Sequence, residues 1–218
     1  VGAFHEAFAD TIALLERLSN RDLVEHQLTF ADGDLSNETV FGQLATQVGQ
    51  AVGFGHSALR TSIGNFVDGQ WQRKVPDRMA LQNTLQIHDR GAIFVACIFD
   101  AFIRLYDHRT KDLFRIANHS GNSNKLLSTD LVKRLATEVV DVSQNILKIC
   151  IQALDFVPPC DITFGDYIRA LITADYEMAP GDDGGYRVAM IEAFREWGFR
   201  VDRVNTMSVE SLRWNSTI

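Results

Sequence analysis

The sequence predicts a mainly α-helical, multi-helix domain, and three observations lead there. Apolar residues recur three and four positions apart through most of the chain, which is the spacing of one helix face. The longest series, Val132, Leu135, Val139, Val142, Ile146, Ile149 and Ala153, runs without a slip. Proline and glycine then punctuate the periodic stretches at Pro158-Pro159 and from Pro180 to Gly185. At 218 residues the chain is long enough to bury a sizeable core. No internal repeat or low-complexity linker divides it, so residues 1–218 read as one helical domain.

In order, the opening stretch places Phe4, Ala7, Phe8, Thr11, Leu15 and Leu18 on one face, and Ser19-Asn20 ends it. Residues 28–35, with Asp32-Gly33-Asp34, read as a loop. A helix starting at Ser36 or Asn37 would turn Phe41, Leu44, Ala45, Val48 and Val52 inward. Residues 61–86 read as a long polar connection with a short helix. Residues 87–106 are apolar nearly all round, so they predict a central helix packed on several sides. Residues 119–124 read as a loop. A long helix follows from Asp130 to Leu154, stopped by Pro158-Pro159. Thr163 and Asp166 form a capping-box pattern that opens another helix. The last helix runs from Tyr186 to Trp197, with Gly198 just past its end, and the tail beyond Phe199 predicts a short strand.

A net charge of −7 argues against a nucleic-acid partner or a basic membrane-binding face. The longest apolar run, Gly91 to Phe99, is too short to span a bilayer. Three cysteines, Cys97, Cys150 and Cys160, form no metal-binding spacing. Cys97 and Cys150 sit in apolar stretches as core thiols, which leans towards a reducing, cytoplasmic setting.

The opening helix also carries chemistry. Glu6 and Asp10 are four residues apart and therefore neighbours on one helix face. Like charges so placed disfavour an isolated helix by about 0.2–0.5 kcal/mol. They read either as a solvated stripe opposite Phe4 and Phe8, or as a metal ligand beside a carboxylate that orients a neighbouring ligand. His5 points about 100° away around the helix and should not chelate together with Glu6. No H-x-x-x-H pair occurs in the chain, so these residues do not encode a complete zinc site.

The stretch "GAFHEAFADTIALL" at residues 2–15 resembles the helix that supplies the glutamate ligand in thermolysin-like zinc metallopeptidases, the gluzincins. That helix has the pattern G-A-[apolar]-N-E-A-[apolar]-S-D-[apolar]; His5 and Ala9 stand where Asn and Ser are usual. The match implies that Glu6 is the zinc ligand and Asp10 the carboxylate that supports a ligand from behind. "IHDRGAIFVACIFDAF" at 87–102 is similar to the family segment in which a histidine precedes a glycine-started apolar helix. The resemblance implies that His88 hydrogen-bonds the tetrahedral intermediate. The family often has an acidic residue shortly before that histidine; residues 81–87 contain none, and Asp89 is a loose substitute. Residues 173–199 look like the closing helix pair of the family, with Ala193, Phe194 and Gly198 in its ending.

By motif the resemblance touches about a quarter of the chain, and by span nearly all of it. The separation between Glu6 and His88 is longer than in thermolysin itself, which marks a divergent relative. H-E-x-x-H, which supplies two zinc ligands and the general base, has no match here, since "HEAFA" lacks the second histidine. The resemblance therefore implies the C-terminal part of a longer peptidase acting on a peptide or protein substrate. The N-terminal part of the same polypeptide would supply the remaining zinc ligands. A non-catalytic helical scaffold or binding domain is the rival expectation.

Overall fold

A computed structural model describes residues 2–30, 63–67, 70–119 and 128–214. The helix expected from Ser36 or Asn37 falls outside these residues, as do Asp32-Gly33-Asp34 and most of the 119–124 loop. Helix α1 spans Gly2–Leu18 and α2 spans Arg21–Phe30. Strands β1 (Gly64–Val67) and β2 (Gln70–Arg73) form an antiparallel hairpin with Gly64 opposite Arg73. Then come the short α3 (Ala80–Asn83), the long α4 (Ile87–His119) and α5 (Thr129–Gln152), which ends in a 3-10 turn at Ala153–Phe156. Helices α6 (Phe164–Met178), α7 (Tyr186–Glu196) and α8 (Val209–Leu212) complete the described chain, which is mainly helical as the periodicity predicts.

Four expectations are corrected. Residues 28–30 are helical because Asn20 not only closes α1 but also caps α2: its Oδ1 accepts from Leu23 N at 3.1 Å. The buried face of α2 is then Val24, Gln27 and Leu28. The connection 61–86 contains a hairpin as well as the expected short helix. Helix α4 continues past 106 to His119, with Thr110 buried and donating to Tyr106 O at 2.8 Å. The tail forms α8 instead of a strand, since the Ser208 hydroxyl accepts from Ser211 N and starts a turn.

Helix α4 is the axis of the core: Phe94, Val95, Cys97, Ile98, Ala101, Phe102 and Tyr106 are all buried, and it packs most extensively on α1 and α7. Burial pushes the Cys97 thiol well up and that of Cys150 to about 12, so both are inert core groups. Among the described residues no helix is long and apolar enough to cross a membrane. The capping box is as predicted: Thr163 Oγ1 accepts from Asp166 N and the Asp166 carboxylate accepts from Thr163 N, each at 3.1 Å.

Candidate functional site

The site is built where α1 crosses the first turn of α4. Phe4, Ala7, Thr11 and Leu14 bury one face of α1, which leaves His5, Glu6 and Ala9 exposed. The close approach depends on Gly91. A Cβ there would meet Ala3 O at 3.2 Å, Ala7 N at 3.3 Å and the Glu6 Cβ at 3.4 Å, tighter than ordinary contact. At the start of the two helices a Cβ on Gly2 would likewise press on Ile87, 3.3 Å away. Two glycines thus let the two helix backbones meet. A rigid aromatic cluster lies behind them. Phe94 of α4 stacks on Phe164 at 5.1 Å and packs on Tyr167, whose ring also meets Phe4 at 4.9 Å. The Tyr167 hydroxyl donates to Cys150 O at 2.8 Å and ties α6 to the end of α5.

This packing brings Glu6 and His88 together. His88 Nδ1 lies 3.4 Å from Glu6 Oε2, with both side chains largely open to solvent, 67% and 48% exposed. Such an exposed pair contributes about 0–1 kcal/mol to stability, so the fold does not depend on it. With Nδ1 towards Glu6, Nε2 lies on the other side of the imidazole ring. Asp10 sits one turn beyond Glu6 on α1, partly buried and not without a partner of its own. His5 is exposed with its ring against Phe4, centroids 5.8 Å apart. Asp89 is exposed, and the carboxylate placed beside His88 is Glu6 from a different helix.

The Glu6 carboxylate is a donor type that zinc accepts, but one carboxylate is not by itself a zinc site. Among the described residues no group of three or more His, Cys, Asp or Glu is placed to hold a metal ion. Comparison with protein-family models, curated proteins and solved structures finds no match.

Two neighbouring residues complete the arrangement: Gly91, legible in the sequence as the start of an apolar helix but not as a contact point, and Arg90. Arg90 Nη1 donates to Leu81 O at 2.8 Å and to Thr84 O at 2.9 Å. A signal existed in the sequence, because a cation in the first turn of a helix opposes the macrodipole and implies a partner elsewhere.

A separate cleft of about 340 Å³ lies between α5, the end of α6 and the 180–185 turn, lined by Asn145, Lys148, Asp175, Met178, Asp182 and Tyr186 among others. It contains neither Glu6 nor His88. Beside it, Arg187 is buried and donates to Asp175 Oδ2, Ala179 O and Pro180 O, each at 2.8 Å. Burial pushes the Asp175 carboxyl up to about 6, against the opposing pull of Arg187.

Proposed function

We propose that this chain supplies the glutamate ligand and the oxyanion-stabilising histidine of a zinc-dependent metallopeptidase. The observation that carries the reading is the meeting of Glu6 and His88. The two residues lie far apart in sequence and were singled out by separate motifs, and packing sets them 3.4 Å apart on an open surface.

In this reading Glu6 would hold the metal through its carboxylate, and Asp10 would fix the orientation of a ligand histidine or support a helix junction. Two further ligand histidines and the general base would have to come from residues outside the 218 of this sequence. Zinc, when bound, lowers the pKa of a coordinated water and polarises the scissile carbonyl. His88 does the rest of this chain's work. With a proton on Nδ1 facing the Glu6 carboxylate, Nε2 would donate to the oxygen on which negative charge develops only while the ring is the doubly protonated imidazolium. Such preorganised donors are worth about 3–4 kcal/mol of barrier. The exposure of both residues leaves room for a peptide or protein substrate to reach them.

The test uses the full-length protein. Wild type is expected to hold zinc and hydrolyse peptides, Glu6→Ala to lose most of the metal, and His88→Ala to keep it with kcat about 10²–10³-fold lower. Zinc content unaffected by Glu6→Ala would remove Glu6 from the ligand set. A full-length protein with neither zinc nor hydrolysis would leave a helical scaffold as the function.

A further inference from the structure

Resting on the role of His88 given above, we propose that Arg90 is a positioning residue, holding the segment that carries His88 in register with Glu6. The segment itself has little else to hold it. Residues 84–86 have no regular structure and Leu85 is 88% exposed, so apolar packing does not fix them; Ile87, 52% exposed, opens α4 beside Gly2. His88 follows at once, itself mostly exposed. Left alone, residues 84–86 would move as loops do, and the first turn of α4, which carries the imidazole, would fray with them.

Arg90 supplies the missing restraint. One guanidinium nitrogen donates to Leu81 O and Thr84 O, carbonyls at the end of α3 that have no partner within a helix of four residues. Each is a charge-assisted bond at short distance. The two bonds close a loop from the first turn of α4 back across the residues leading into it, and His88 lies inside that loop. On the next residue, Gly91 sets the spacing of α4 from α1. Arg90 therefore fixes the His88 side of the pair, and Gly91 fixes the distance to the Glu6 side. The guanidinium touches no atom of the pair; it acts through the backbone. Displacement of a catalytic group by about 1 Å can cost on the order of 10²-fold in rate, so a restraint of this kind has a measurable effect.

The experiment is a double-mutant cycle in the full-length protein with Arg90→Met, His88→Ala and the two combined, assayed on a peptide substrate. Arg90→Met is expected to lower kcat about tenfold or more with zinc content unchanged. On the His88→Ala background it is expected to lower it no further, because the group it positions is gone. The same fold loss on both backgrounds would overturn the proposal, since Arg90 would then act on the structure at large. If Arg90→Met does not fold, Arg90→Gln carries the same cycle. A second readout does not depend on activity: the nuclear Overhauser effect between the His88 ring and the Glu6 methylenes in histidine-labelled protein. Its loss in Arg90→Met, with core contacts intact and recovery in Arg90→Lys, supports positioning; its persistence in Arg90→Met overturns it. A protein that hydrolyses nothing but loses this contact in Arg90→Met would refute the peptidase reading and leave the positioning standing.

Discussion

Two acid–base pairs in this molecule use similar chemistry in opposite settings. Asp175 and Arg187 lie inside the protein, and the guanidinium is held by the carboxylate and two backbone carbonyls at 2.8 Å. Glu6 and His88 lie on the surface at 3.4 Å, each largely exposed. The first pair is surrounded by structure that depends on it; the second is placed by structure that does not. A fold that brings two reactive groups together without relying on their interaction leaves them available for a third participant. The contrast therefore separates a structural pair from a candidate functional one by burial and satisfaction, with no reference to residue type.

The comparison can be broken most forcefully at Arg187. Arg187→Met leaves Asp175 buried without its cation and takes from Pro180 O the donor it has in Arg187, while Ala179 O keeps the Asp182 N–H. Such a change is expected to cost about 3–5 kcal/mol, read as a lower urea midpoint. A cost under 1 kcal/mol would mean that this pair is no more structural than the other.

A smaller effect comes with pH. Asp175 has its carboxyl raised from 3.8 to about 6 in the folded protein, with burial as the first cause. Between those values the folded state holds a proton that the unfolded state has released. Its contribution to stability is therefore fully present below pH 4 and lost as pH rises through about 6. The loss is on the order of 3 kcal/mol at most. Asp175→Asn should flatten that part of the stability profile, measured as the difference from wild type in denaturant unfolding at each pH.

The smallest effect is expected at the surface pair. Glu6→Gln and His88→Ala should each change stability by less than about 0.5 kcal/mol in the same assay. A cost above 2 kcal/mol for either would make the pair a structural element and weaken the case for function.

Much of the fold was legible because the signals were local and agreed with one another. The α5 series is an unbroken helical stripe, and nearly all of it is buried. Thr163 and Asp166 meet as their three-residue spacing predicts, and Gly198 takes the positive φ of 74° that its place after a helix demands. The failures came where one residue serves two elements or where the pattern is short. Asn20 reads as an end but is also a beginning. The strands of the hairpin are four residues each, too brief for alternation to stand out, although Asp68-Gly69 between them is a turn signal. Glu6 and His88 were legible as separate residues through a resemblance to a known family. Their juxtaposition was not, because it depends on how closely α1 and α4 approach at Gly91, a tertiary fact with no periodic trace. Arg90 leaves only the weak mark of a cation in a first helical turn, since its partners are backbone carbonyls that carry no side-chain signature.

Gly198 has one more consequence. A Cβ at that position would stand 2.0 Å from Arg78 O, so the backbone at residue 78 rests directly on the turn that closes α7. Residue 78 lies just before α3, the short helix that Arg90 grips. The seat for the segment leading to His88 is thus made from a part of the chain that is synthesised long after His88 itself. A nascent chain would carry both Glu6 and His88 well before the turn that backs residue 78 could form. The support under α3 is thus completed only when residue 198 has emerged and the closing turn has formed.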